Sequence, residues 1–485
     1  MAPVQTAPAE LRRRGWNENS ILCLMSLSFN CRSCGSGQGA LILDLGLQPL
    51  ANNLLRLEDL SKAEPKFPLR LAVCQSCWLL QILDLVPPVQ LFSEYLYFSS
   101  FSDLMLRHAK QAAERYIKEF SLGQQSLVVE IASNDGYSLQ NFQSHGVPCL
   151  GIEPAANIAK VAREKGIETL VGFFGNDLAK ELVGAGPAPI VPLSSPSPPP
   201  EERAGERRPF PIHRGTGSWG GGPDQENVGA RPAENVESRQ ADLILGNNVF
   251  AHAPNTNDFV AGLRTLLKPG GRIILEFPYA VDLIEKGEFD TIYHEHVFYF
   301  SLTALRPLFE RQGLSIFHVE RLPIHGGSLR LFAGLDRAHP MQPSVGLLLE
   351  EETRKGLGSL SYYEGFAQRV AQLKHSLVGL VQQLKQQGKS AAGYGASAKG
   401  STLLNFFGLG KGALEFVADR STYKQGRLTP GTHIPIVPPS RLLEKMPDYT
   451  LLLTWNFADE ILEQQKAYRE KGGKFIIPIP SVRIV

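Results

Sequence analysis

The 485-residue chain has almost no net charge, with 49 Lys and Arg against 48 Asp and Glu. That balance excludes a global basic field of the kind that draws a protein to nucleic acid or to an anionic membrane. Any anion must therefore be held by local groups, and no nucleic acid is expected as a partner. No apolar run approaches the roughly 20 residues that span a bilayer, so no membrane partner is expected either. Arg12, Arg13 and Arg14 precede a short apolar stretch from Ile21 to Leu27, but Glu10 and Glu18 interrupt it and no small-residue cleavage site follows. Residues 1–28 read as a disordered extension, and the protein is expected to be cytoplasmic. Gly-x-Gly-x-x-Gly is missing, which argues against a dinucleotide. Cysteine is scarce, at six residues, and without a secretion signal that usage favours metal over disulfides.

Four of the six cysteines form two Cys-x-x-Cys pairs, Cys31-Arg-Ser-Cys34 and Cys74-Gln-Ser-Cys77, while Cys23 and Cys149 stand alone. Each pair makes a tight knuckle that offers two sulfurs to one ion, and the set suits a tetrahedral zinc with four thiolates. The 39 residues between the pairs are more than a simple zinc ribbon has and read as an inserted loop, Leu41 to Arg70. With all four positions filled by protein, no open coordination site remains, so the zinc is expected to be structural. The alternative is four buried free thiols.

The length predicts two to four domains. Residues 29–95 hold the cysteine pairs. Residues 96–320 alternate short apolar strands with helical patterns, and residues 321–485 form a second alternating α/β region. Within the middle region, residues 187–240 break every periodicity: Pro198 to Pro200, Gly220 to Gly222 and scattered Arg and Glu cannot bury enough apolar surface to offset chain entropy. This stretch reads as a disordered insertion between core elements. Strands are expected at Leu127–Ile131, Cys149–Ile152, Leu243–Gly246 and Arg272–Phe277, the pattern of a parallel, doubly wound sheet. Lys268-Pro-Gly-Gly271 reads as a tight turn feeding the fourth of them. Phe366, Val370, Leu373, Leu377, Val381 and Leu384 recur every three or four residues and predict a core-facing amphipathic helix ending near Gly388.

The first of these strands carries Glu130 and runs into Ala132-Ser-Asn-Asp-Gly-Tyr137. The turn after the first strand is where doubly wound sheets bind nucleotides, and Gly136 lets the backbone approach a ligand closely. Glu153 follows Glu130 by 23 residues, at the end of the second strand, where an acid can accept hydrogen bonds from ribose hydroxyls. Together with Lys268–Gly271 before a later strand, these signals predict the methyltransferase version of the sheet. Glu130, Ser133, Asn134, Asp135, Gly136, Glu153 and Asn247 are the candidate residues for S-adenosylmethionine. Any one of them alone reads equally as a structural turn or a solvated acid.

Tyr293-His-Glu-His-Val-Phe-Tyr-Phe-Ser301 follows Phe277-Pro-Tyr279 and is placed over the C-terminal edge of the sheet. Tyr293, Glu295 and His296 can supply a base, a partner that orients it and a donor for a developing oxyanion. His252, at the end of Asn247-Asn-Val-Phe-Ala-His252, faces the same crevice. His-x-His can also ligate a metal, but the spacing suits a strand with both side chains on one face, and a third ligand is not evident. In the last region Gly393 and Gly395 allow close approach of the backbone to phosphate, and Lys399 can neutralise it; the alternative is a turn without ligand.

Leu91–Ser100, Ser133–Gly136, Gly246–His252, Tyr293–His296 and His325-Gly-Gly-Ser-Leu-Arg330, with both cysteine pairs, resemble the zinc-containing sugar C-methyltransferases. Gly393–Gly400, Asp419-Arg420, Lys424–Arg427 and Pro430–Pro435 are similar to that family's C-terminal domain. The resemblance covers nearly the whole chain except residues 1–28 and the insertion. It implies an α/β protein with an N-terminal zinc-binding module, a Rossmann-like methyltransferase sheet and a C-terminal Rossmann-like α/β domain. It also implies methyl transfer from S-adenosylmethionine to C-3 of a nucleotide-linked 4-keto-deoxysugar. His296 matches the family's base, and Tyr293, Glu295, His252 and Tyr97 match positions lining the same pocket, with Tyr95 the alternative to Tyr97. Gly393, Gly395, Lys399, Arg420, Lys424 and Arg427 would hold the nucleotide sugar, and the protein is expected to be a monomer. Two other readings stand beside this one: a methyltransferase of the same build with another small-molecule acceptor, and an inactive zinc-binding interaction protein.

Overall fold

A computed structural model describes residues 29–92, 99–184, 239–324 and 326–485. The expected N-terminal extension, nearly all of the insertion, Tyr95, Tyr97 and His325 lie outside the described residues.

The cysteine region is a small antiparallel sheet of β1 (Gly39–Pro49), β2 (Lys66–Cys74) and β3 (Leu80–Ile82). Its inner positions, among them Leu43, Leu45, Leu71, Val73 and Leu80, are buried, as alternation in a half-covered sheet requires.

The central sheet follows. Its parallel strands are β4 (Val128–Ile131), β5 (Cys149–Glu153), β6 (Thr169–Val171), β7 (Ala241–Asn247) and β8 (Leu267–Pro278). All four residues of β4 are buried, as expected for a strand covered on both faces. The chain then forms β9 (Phe298–Tyr299), β10 (Leu314–Leu322) and β11 (Ser328–Leu335). β9 does not join the central sheet: it pairs antiparallel with β3 and completes the cysteine module. The order of the central sheet is β10-β11-β8-β7-β4-β5-β6, with β11 antiparallel to both neighbours. The expected domain boundary at residues 320 and 321 therefore falls inside β10. Lys268–Gly271 is an excursion within β8 rather than a turn before it, with Gly270 at φ 77° and the β7–β8 register shifting there.

Helix Asp103–Glu119 starts at Ser102, whose hydroxyl accepts from the Met105 amide, and buries Met105, Ala109, Ala113 and Tyr116 against this sheet. Helix Leu360–Gln386 carries the predicted stripe and begins it one turn earlier, at Tyr363, whose ring stacks on Trp78 of the cysteine module at 6.2 Å. Gly388 (φ 71°) follows its end.

The last sheet contains β12 (Ala391–Tyr394), β13 (Val417–Ala418), β14 (Ile436–Val437), β15 (Tyr449–Leu452), β16 (Lys474–Ile477) and β17 (Arg483–Ile484), in the order β14-β13-β12-β15-β16-β17. All pairings are parallel except the last. Strand order reverses beside β4 in the central sheet and at β12 in the last one. The crevices beyond the carboxyl ends of those strands are where open α/β sheets bind ligands.

Candidate active site

Beyond β4 the backbone takes left-handed turns at Ala132, Asn134 and Gly136 (φ 53°, 51° and 74°). This winding curls the backbone from Ser133 to Gly136 into a compact turn beyond the end of β4. Glu130 accepts from the Asn247 side-chain amide at 3.0 Å, so the ends of β4 and β7 meet there. Glu153 accepts from the backbone amides of Asn134 (3.0 Å) and Ala155 (2.9 Å), which aims its carboxylate across the same turn. Asp135 pairs with Lys165 at 2.9 Å. Burial pushes the Glu130 carboxyl up to about 8 and the Glu153 carboxyl up to about 7. Glu130 Oε2, Ser133 Oγ and Asp135 Oδ1 are buried without a hydrogen-bond partner among the described residues. Buried polar atoms in this state ask for a ligand. An adenosine-bearing cation with ribose hydroxyls and an ammonium group meets those needs, so the predicted residues fit S-adenosylmethionine.

The Tyr293–His296 segment forms a turn and not the expected strand, so its two histidines diverge. His294 Nε2 bonds the Pro68 carbonyl of the cysteine module at 3.1 Å, a structural contact. His296 Nδ1 lies 3.0 Å from the Thr291 carbonyl, which only accepts, so that nitrogen carries the proton. The other ring nitrogen, Nε2, is 2.7 Å from the Tyr293 hydroxyl. His252 packs edge-on against His296, with ring centroids 4.8 Å apart, and its Nδ1 donates to the Glu295 carbonyl at 2.6 Å. Burial lowers His252 to about 4, so it is neutral near pH 7. Glu295 is buried, its carboxyl is pushed up by burial, and its Oε1 accepts from the Asn52 side chain at 3.0 Å. The structure thus brings Tyr293, Glu295, His296 and His252 together.

Three further neighbours surround these residues, and of them only Tyr299 falls in a stretch that the sequence marks. Asn52 lies 243 positions from Glu295. Tyr299 donates to the His296 carbonyl at 3.1 Å. Asp290 is fully buried and accepts from Trp455 of the last region at 2.7 Å.

The C-terminal residues make separate contacts. Gly393 lies on β12, and Gly395 (φ 91°) turns tightly against Thr454. Lys399 Nζ sits 4.8 Å from the Trp455 ring centre, where its charge also acts on the buried Glu288 and Asp290. Arg420 lies near Asp103 and Glu460 (3.5 and 3.6 Å), Lys424 donates to the Ala396 carbonyl (2.9 Å), and Arg427 reaches the Leu54 carbonyl (3.4 Å).

The four cysteine sulfurs lie within 4.8 Å of one another, with Cys31–Cys77 at 3.5 Å and Cys34–Cys74 at 3.6 Å. Zinc–sulfur bonds of about 2.3 Å in a tetrahedron require sulfurs about 3.8 Å apart, so the set fits zinc. Amides of Cys34, Ser76 and Cys77 point at these sulfurs, as in a metal knuckle.

Family models match most of the described chain: a zinc binding domain at residues 31–92, a methyltransferase domain at 105–319 and the C-methyltransferase C-terminal domain at 323–480. The C-methyltransferase NovU of Streptomyces niveus is 34% identical over 456 residues, covering 94% of this chain and 96% of that protein. Two solved structures overlap about half of the chain. One is a methyltransferase in complex with the Trm112 activator of Haloferax volcanii (12% identity, TM-score 0.30, 48% of this chain and 95% of that one). The other is the magnesium protoporphyrin IX methyltransferase of Synechocystis (12%, TM-score 0.30, 47% and 82%). The chain belongs to the S-adenosylmethionine-dependent C-methyltransferases that carry an N-terminal zinc-binding domain.

Proposed function

We propose that this C-methyltransferase methylates C-3 of a nucleotide-linked 4-keto-deoxysugar and that His296 removes the C-3 proton. The observation that carries this reading is the fixed tautomer of His296. With Nδ1–H held by the Thr291 carbonyl, Nε2 is the basic nitrogen, and it points to the Tyr293 hydroxyl. A ketone acidifies the carbon beside it. His296 Nε2 takes the C-3 proton, the C–H electron pair moves into the enolate, and the negative charge collects on the C-4 oxygen. The Tyr293 hydroxyl, released from its bond to Nε2 as that nitrogen becomes protonated, is a donor for this oxygen. His252 stays neutral against the imidazolium, and Glu295 holds His252 through its backbone carbonyl. S-adenosylmethionine, when bound, supplies the electrophilic methyl group for the carbon nucleophile; Glu130, Ser133–Gly136, Glu153 and Asn247 are the residues that would hold it. Gly393, Gly395, Lys399, Arg420, Lys424 and Arg427 are the residues that would hold the nucleotide part. The C–C bond-forming chemistry of the family supports a poised base over a simple oxygen acceptor.

The test is mass spectrometry of a thymidine-diphosphate 4-keto-deoxysugar incubated with the protein in deuterated buffer. Without S-adenosylmethionine one deuterium should enter at C-3, and with it one methyl group should be gained. Both should vanish in His296→Ala. No exchange and no methylation by folded, zinc-loaded protein would remove the ketosugar assignment.

A further inference from the structure

We propose that Trp455 of the C-terminal domain is a positioning residue for His296, acting through Asp290; the inference rests on the assignment of His296 as base. The turn Phe289–Thr291 is gripped by that domain at three points. Trp455 Nε1 donates to Asp290 Oδ2 at 2.7 Å. The Thr402 hydroxyl donates to the Ile292 carbonyl at 3.2 Å. Phe289 stacks on Phe407 with centroids 4.9 Å apart. The residue between the first two contacts is Thr291, whose carbonyl receives His296 Nδ1. That carbonyl is also 3.3 Å from the Tyr299 hydroxyl. The orientation and tautomer of His296 therefore depend on one backbone carbonyl, flanked on both sides by hydrogen bonds from another domain.

The Trp455–Asp290 bond is fully buried on the Asp side. Lys399 Nζ lies 4.8 Å from the indole centre, and a cation over that face makes the indole N–H a stronger donor. Asp290 Oδ1 has no hydrogen-bond partner among the described residues, so loss of the indole N–H leaves the buried carboxyl group without a side-chain donor. The turn would then move to recover one, carrying Thr291 with it. Helix Ala398–Phe407, which supplies Thr402 and Phe407, begins beside the Gly395 turn. Lys399 thus has a role in this contact that the sequence reading, which gave it to phosphate, did not include.

Trp455→Phe keeps the ring and removes the donor. Expected are a roughly tenfold fall in kcat and an equal fall in C-3 deuterium exchange, with KM for S-adenosylmethionine unchanged, because displacing a base by a fraction of an ångström costs rate and not cofactor affinity. Asp290→Ala should give the same loss, and the double variant should be no worse than either single one, since both remove one contact. Thr402→Val, which leaves Trp455 in place, should lower the same two rates by a smaller factor and serves if Trp455→Phe does not fold. The inference is overturned if Trp455→Phe, or Thr402→Val in its stead, exchanges at the wild-type rate, or if the two single losses multiply. If the wild-type protein itself shows no exchange, the assignment of His296 is what has failed, and this inference falls with it.

Discussion

Cofactor binding should release protons, and the number follows from two buried acids. Burial pushes the Glu130 carboxyl up to about 8 and the Glu153 carboxyl up to about 7. At pH 7 the two together hold on the order of one proton, and at pH 9 almost none. S-adenosylmethionine has a net positive charge and ribose hydroxyls that donate, and both features favour the ionised carboxylates. Binding should therefore expel on the order of one proton at pH 7 and far fewer at pH 9. Titration calorimetry at pH 7 in phosphate and in Tris, whose ionisation heats differ widely, reads this number directly. Glu130→Gln should remove the larger share of the release, because Glu130 is the more strongly raised of the two. Identical binding heats in the two buffers, or a release that Glu130→Gln leaves intact, would refute the placement of these acids around the cofactor. The same groups set a stability trend. A buried acid whose folded value lies above its unfolded one holds extra protons in the native state between the two. Ligand-free stability should thus fall as the pH rises from about 4.5 to about 8 and then level off. Below about 6.5, His252 adds the opposite trend, because it must stay neutral down to about 4 in the native state.

Three further outcomes are expected. Asn52→Ala leaves the buried Glu295 Oε1 without its side-chain donor, which should cost about 1–3 kcal/mol in thermal or urea unfolding and slow C-3 exchange several-fold; unchanged exchange would separate the zinc module from the chemistry. Removing zinc with a chelator, or substituting the exposed Cys34 by Ser, should lower the melting temperature and abolish methyl transfer while calorimetry still detects cofactor binding, because Glu130 and Glu153 stand on the other sheet. Phe250→Ala should destabilise by about 3–5 kcal/mol in chemical denaturation, since the fully buried ring stacks on Phe300 at 4.4 Å and on Phe259 at 5.2 Å.

Local features were readable from the sequence and distant ones were not. Both cysteine pairs, the four parallel strands, the Ser133–Gly136 turn and the helix stripe from Phe366 to Leu384 depend on spacing within a window, and the structure has them. The pairing of β10 with β11 across the expected boundary at residues 320 and 321, and of β11 with β8, was not legible, because an edge hairpin has no periodic signature that ties it to the strands before it. The alternation of His294 and His296 suits a strand, but in the turn the two side chains diverge, and the His294 partner, the Pro68 carbonyl, comes from the distant zinc module. Asn52 and Trp455 approach the site from 243 and 165 positions away, and no composition or motif marks them.

The placement of β9 has a consequence for the order in which the molecule is made. The zinc-binding sheet closes with Leu80 beside Tyr299, so its last strand leaves the ribosome some 219 residues after its third. Cys31 to Cys77 can collect a metal early, but the edge of β3 stays open until most of the methyltransferase sheet has been synthesised. Metal capture and completion of the fold are thus separate events in time, and an exposed strand edge during the interval is where a nascent chain of this protein is most open to mispairing.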